Sequence, residues 1–250
     1  AVGHGALCGN TTAGNNIGVG TCSLKATTTG SNNIGIGASA LCTNVTGIKN
    51  IAIGTEALRY NTGSNNTAIG YVALDANTTA SNNTAVGESA SGKNTTGAQN
   101  TTVGAGSFTC NTTGSNDTAI GQAALESNTS GSSNTAVGRK VLEANTTGYN
   151  NVGFGDSALG NQTTSHNNTG IGYNVAAAIT TGHSNTIVGA CGSPNLTTGN
   201  GNISLGDIGE IGTRIFNITT ENDRLVMGHN NITNAYVKVD WTVTSDLRDK

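Results

Sequence analysis

Charge, aromatics and proline are all scarce in this 250-residue chain. Charged residues make up 10%, aromatics 4%, and there is a single Pro. Ordinary soluble domains carry roughly 25% charged and about 45–50% apolar residues, whereas apolar residues here reach only 34%. A compact enzyme domain around one thick core is therefore not expected. Simple disorder does not fit either, because disordered segments usually carry high net charge and the formal charge is only −3. No stretch approaches the roughly 18 apolar residues of a membrane-spanning helix, so insertion into a membrane is not expected. Glycine does not recur at every third position, which excludes collagen.

What the chain has instead is Gly (37), Asn (35) and Thr (40), together 112 of 250 residues. Such bias points to a repeat. An apolar residue followed by Gly returns at Gly3, Gly20, Gly37, Gly54, Gly70, Gly87, Gly104, Gly121, Gly138, Gly155, Gly172, Gly189 and Gly206. Eleven of the twelve intervals are 17 residues and one, Gly54 to Gly70, is 16. The short unit has lost a Thr and reads Asn61-Thr62-Gly63. The consensus is N-N-T-A-[IV]-G-x-x-A-L-x-x-N-T-T-G-S.

Thr84-Ala85-Val86-Gly87 alternates two faces as a strand does. One carries Thr and Val, the other Ala and Gly. Ala73-Leu74 supplies a second apolar contact, and Asn77-Thr78-Thr79 with the small residue after it reads as a corner. A unit this short cannot hold a helix pair. The expected fold is all-β, a parallel β-solenoid rod of 17-residue coils with a short C-terminal β cap. Stacking places identical residues about 4.8 Å apart, in ladders of Asn, Thr, Ile/Val and Leu. Like charges at that spacing repel, which accounts for their scarcity. The small Ala/Gly face suggests close approach of neighbouring chains, and a homotrimer is the expected assembly.

The character changes after Gly206. Residues 1–206 hold 13 charged side chains and residues 207–250 hold 12, about 6% against 27%. The chain thus divides into a shaft (1–206), a β cap or transition region (207–244) and a terminal stub (245–250). Within the cap, Tyr236 to Thr244 alternates as a strand that would seal the stack. Beginning mid-repeat and stopping abruptly, the sequence reads as a stretch of a longer fibre.

Other patterns have plain readings. The Asn-x-Thr sequons at Asn77, Asn94, Asn111 and Asn145 are read as corner asparagines bonding their own backbone, with Thr ladders beside them, rather than as glycan acceptors. Cys8, Cys22, Cys42, Cys110 and Cys191 are odd in number, and Cys8 and Cys42 share a register two coils apart; small buried hydrophobes are expected, not disulfides or a zinc site. His166 and His183 sit one coil apart at the same position and are expected to face outward, a metal site on a trimer axis being the lesser reading. No cofactor is expected. The acidic residues Glu56, Asp75, Glu88, Asp117, Glu126 and Glu143 are mostly isolated, unlike the paired carboxylates of a glycosidase.

The array, best seen from Asn65 to Ala80, resembles repeats of bacteriophage tail-fibre and other virion appendage proteins. Ser245-Asp246-Leu247-Arg248-Asp249-Lys250, entered from the strand Val239 to Thr244, is similar to the start of the endosialidase-type intramolecular chaperone. The segment Arg224 to Gly228, continuing through Asn234-Ala235-Tyr236, is similar to the sequence before that chaperone in fibres of phages infecting cyanobacteria. This resemblance implies a trimeric fibre on a virion and a precursor that cuts itself at Ser245 with Lys250 as the activating base. It implies, as partners, copies of the chain itself, other virion proteins and host surface polysaccharide, with no nucleic acid. Two other classes share some features: a solenoid adhesin of a bacterial or giant-virus surface, and an ice-binding solenoid using Thr ladders.

Overall fold

The computed structural model describes residues 1–206 and 217–228. Thirteen three-residue strands, from β1 (Ile17–Val19) to β13 (Leu225–Met227), form one parallel sheet in strict chain order. Each strand pairs with the next at the same repeat position, as Thr84↔Thr101, Ala85↔Thr102 and Val86↔Val103 show. Val2 adds a bridge to Val19 at the first coil. The solenoid and its 17-residue coil are as the sequence implied.

Between strands lie a six-residue turn segment and a polar corner. Backbone bonds join the coils along all of these walls. Leu74 N–H donates to Ala90 O (3.0 Å), Ala76 N–H to Gly92 O (3.0 Å) and Thr78 N–H to Thr95 O (3.0 Å). The 16-residue coil absorbs its deletion at the corner: Asn61 reaches Gly63 O two residues on, where Asn77 reaches Ala80 O three residues on. Strand register is untouched, Ile51 pairing with Thr67. The stack continues past Gly206, since β13 pairs with β12 (Ile203–Leu205), Ile203 facing Leu225 twenty-two residues on.

One expectation is reversed. The Ala/Gly side of the strand is not an outer face awaiting another chain; it is the inside of the coil. Ala52, Ala68, Ala85, Ala119 and Ala136 are fully buried, as are Leu24, Leu41, Leu58, Leu74, Leu125, Leu142 and Leu159 of the turn segment. Leucines fill the narrow lumen from one wall, so only Ala, Gly or a similarly small residue suits most of the opposite wall; a Cβ on Gly170 would already lie 2.8 Å from Leu159 Cγ. The Thr/Val side faces outward.

The leucines enter the lumen by an unusual backbone. Leu24, Leu41, Leu58, Leu74, Leu125, Leu142 and Leu159 all have φ between 51° and 53°. Left-handed residues with a Cβ cost about 1–2 kcal/mol each, and burying a leucine returns roughly 1.5–3 kcal/mol. The position two residues earlier is also left-handed but lacks that compensation: Cys22, Ser39, Glu56 and Ser89 lie at φ 54–60°. Gly106 already occupies this place in one coil, at φ 67°. Ser89→Gly should therefore stabilise the rod by roughly 0.5–1 kcal/mol in urea unfolding; destabilisation would refute the assigned backbone strain.

Polar residues take the leucine and alanine places at two levels of the described stack, Ser91 with Thr102 and Ser193 with Ser204, and the first of these separates the apolar interior into two clusters. One cluster runs from Leu24 to Ala90 and the other from Phe108 to Val226. Between them Ser91 takes the leucine place and Thr102 the alanine place, and their buried hydroxyls meet at 3.0 Å. Thr102 Oγ1 donates onward to Thr84 O (3.1 Å), so the pair is satisfied.

Candidate functional site

Asparagine builds two interior columns. At the corner, Asn77 Nδ2 donates to Ala80 O (3.0 Å) and to Asn61 Oδ1 (2.7 Å), and Asn94 Nδ2 donates to Gly97 O (2.9 Å) and Asn77 Oδ1 (2.9 Å). This repeats through Asn111, Asn128 and Asn145. The sequon side chains of Asn77, Asn94, Asn111 and Asn145 are all buried, so a glycan cannot be seated there in the folded rod. Beside them, Thr78 Oγ1 donates to Thr95 O (3.0 Å), Thr95 Oγ1 to Thr112 O (2.8 Å) and Thr112 Oγ1 to Thr129 O (2.9 Å). The first threonine of each corner pair thus spends its hydroxyl within the protein.

The second column precedes the strands. Each Asn carbonyl oxygen accepts the backbone N–H of its counterpart one coil on, and each amide nitrogen donates to a corner carbonyl of that coil. Asn83 shows both bonds: Asn100 N–H donates to Asn83 Oδ1 (2.9 Å) and Asn83 Nδ2 donates to Gly97 O (2.9 Å). Asp117 is the exception in this column. Its Oδ1 accepts from Asn134 N–H (2.8 Å) and Asn134 Nδ2 (3.0 Å), while its Oδ2 is buried without a partner. Desolvation pushes its carboxyl up to about 7, against the smaller opposing effect of the two bonds from Asn134.

Charged side chains elsewhere lie off the strands and largely cancel. Arg139 and Asp156 hold the same position in adjacent coils and form a two-pronged ion pair at 2.9 and 3.1 Å. Opposite charges stack where like charges could not. Glu56 pairs with Arg59 (2.8 Å) and Glu143 with Lys140 (2.8 Å). Burial raises the Asp75 carboxyl, with a smaller push from Glu56.

The cysteines depart from expectation. Cys8 is exposed, the other four are half-buried, and all five are free thiols. The turn positions they occupy face partly outward, so they do not serve as core hydrophobes. His166 and His183 are half-buried rather than freely exposed, and they stack face to face at 4.7 Å with Tyr149 at 4.8 Å from His166. Among the described residues no group of three or more His, Cys, Asp or Glu side chains is placed to hold a metal ion. Ser245, Lys250 and the strand 236–244 lie outside the described residues.

The largest unabsorbed feature is the outer side of the sheet. The third residue of every strand is apolar, from Val19 through Phe154 to Met227, and it points outward. Ile36, Ile69 and Ile120 remain 37–38% exposed and Phe154 50%. Thr67, Thr84, Thr101, Thr118 and Thr135 form the neighbouring column. The inside-outside assignment was the signal missed in the sequence, and it exchanges the roles of the two strand faces.

No protein-family model, curated protein or solved structure matches this chain. No helix among the described residues is long and apolar enough to cross a membrane.

Proposed function

We propose that this chain is the structural shaft of a trimeric fibre on a virion, a tail fibre or related appendage that carries host-surface attachment, located outside the cell on the particle. The observation that carries this reading is the unbroken, in-register stack of thirteen strands in one direction. Its interior is closed by its own Leu, Ala and Asn columns, so the product of folding is length rather than a cavity. Twelve steps of about 4.8 Å give a rod of roughly 60 Å. Such an element spaces and presents. The described residues show carboxylates that are isolated or neutralised, in keeping with a non-catalytic role. The resemblance of the repeat to virion appendage proteins supports the placement, with other virion proteins and host polysaccharide as contacts. In a longer precursor, Ser245 and Lys250 would serve self-release of a downstream chaperone.

Sedimentation equilibrium and negative-stain microscopy test this directly. The expected particle is a straight rod at three times the chain mass of 24.9 kDa. A particle of single-chain mass at all concentrations would overturn the trimeric shaft.

A further inference from the structure

We infer that the outer face of the sheet, with its continuous apolar column, is the seam along which copies of this chain pack against one another; this rests on the trimeric shaft reading and gives it a surface. All thirteen strands contribute an apolar residue at their third position, and none carries a charge at any position. Of the thirteen charged side chains of residues 1–206, twelve lie in turns and corners and Asp117 is buried in the interior asparagine column. Charge has been kept off one wall of the rod while remaining on the others.

The area suffices for a stable contact. A strip about 58 Å long and about 12 Å wide presents roughly 700 Å². Two such strips bury about 1,400 Å², within the range of specific protein–protein interfaces. The apolar column makes up about half of that strip and by itself matches the largest apolar patch of a typical soluble monomer, about 300–600 Å², which is often functional. An uncovered surface of this size is a solubility liability along the whole rod.

A second copy is the occupant that matches the pattern. The face repeats at each coil, so its ridges of Ile and Val fall at one spacing over the full length. Another solenoid of the same sequence has the same spacing and meets it coil for coil. Phe154 breaks the uniformity. It stands between Gly153 and Gly155, with Val152 in place of the usual Thr, and is half exposed. One bulky level in thirteen opposes slippage by a coil, because a slipped copy would set the ring against Val137 or Ile171 instead of its own equivalent.

The test uses the 250-residue chain with its five cysteines changed to serine. Val103→Cys places a thiol on the seam, and Lys93→Cys places one on the exposed turn of the preceding coil as a control. A short bismaleimide should join chains through position 103 at least tenfold faster than through position 93. In parallel, the double variant Val103→Glu and Ile120→Glu, in the natural chain, should sediment as a single chain with an unchanged far-ultraviolet spectrum. A trimeric wild type with no linkage at position 103 puts the seam elsewhere and overturns the inference while the shaft reading stands. A double variant that stays trimeric does the same. A monomeric wild type overturns both, and thermal hysteresis or binding to phosphatidylcholine vesicles by that monomer would assign the face to ice or lipid instead.

Discussion

Gly104→Ala should destabilise the rod by about 4 kcal/mol, among the largest effects available to a single methyl group. Gly104 lies at φ +133°, and a Cβ there would sit 2.6 Å from the carbonyl carbon and oxygen of Gly121 in the next coil. Two costs combine. The backbone conformation is strained for any L-residue by about 1–3 kcal/mol. The methyl also pushes on backbone rather than on a movable side chain, and overpacking of that kind costs typically 1–3 kcal/mol or more. The adjacent coil cannot yield without lengthening the hydrogen bonds on its own far side. Gly106 supplies the control. It too has positive φ, +67°, but its Cβ would meet nothing nearer than Thr109 Oγ1 at 3.8 Å. Gly106→Ala should cost only about 1 kcal/mol, since Cys22, Ser39 and Ser89 hold that conformation natively. Urea unfolding of the two variants separates close approach from conformational strain. Equal losses would mean that the contact between coils at Gly104 contributes nothing.

Asp117→Asn should stabilise the protein, and much more at pH 8 than at pH 5. In the asparagine column each amide nitrogen donates to a corner carbonyl one coil on, as Asn100 does to Gly114 O and Asn134 to Gly148 O, both within 3.0 Å. The corresponding carbonyl for residue 117 is that of Gly131. A carboxylate cannot donate to it, whereas a protonated carboxyl can. Burial raises the folded carboxyl from 3.8 to about 7. The folded state therefore holds a proton that the unfolded chain gives up. Stability linked to this group is fully present below about pH 3.8, falls as pH rises, and is lost above about 7. From pH 5 to pH 8 the loss is roughly 3 kcal/mol, about two pH units at 1.36 kcal/mol each. Asn100 Oδ1 accepts the Asp117 backbone N–H and Asn134 donates to its carboxyl, and no cation contributes to the shift. Asparagine removes the titration and restores the donor. Urea titrations of both proteins at the two pH values give the result, and a gain independent of pH would show that the Asp117 carboxyl is not the titrating group.

The regularity of the sequence made the coil legible. A fixed 17-residue return of apolar-Gly specified the register, and the Asn-Thr-Thr-Gly run located the corner, because Asn77 and Thr78 bond within that corner and to the coil after it. Alternation in Thr84-Ala85-Val86 showed two faces but not which was inside. Hydrophobicity alone favours Val inside. The lumen is too narrow for that, because Leu74 and its counterparts fill it from the opposite wall. The left-handed leucines left no sequence signal, since leucine has no preference for that conformation; only the stack imposes it. Asp117 stood out as one of few acids, and Asn116-Asp117 replaces the usual Asn-Asn, but its burial depended on knowing that the asparagine column faces inward.

A rod of this kind is held together by contacts between adjacent coils, so its stability is a sum of nearest-neighbour terms and its behaviour under load is set by the smallest of them. Coils joined by Leu on Leu and Ala on Ala share a dry joint. At Ser91 and Thr102 the side-chain filling of the lumen is a hydroxyl pair, while the backbone and asparagine bonds between coils continue past it. The hydroxyl pair contributes about 1 kcal/mol net, less than a buried leucine. Water reaching that level finds two hydroxyls ready to accept it, and an opening there meets less resistance than at any all-leucine level. The rod is in this sense a series of stiff apolar stretches joined by more compliant polar levels, Ser91 with Thr102 and, further along, Ser193 with Ser204. A fibre pulled or bent at a surface would concentrate its deformation at those polar levels and spare the apolar stretches between them.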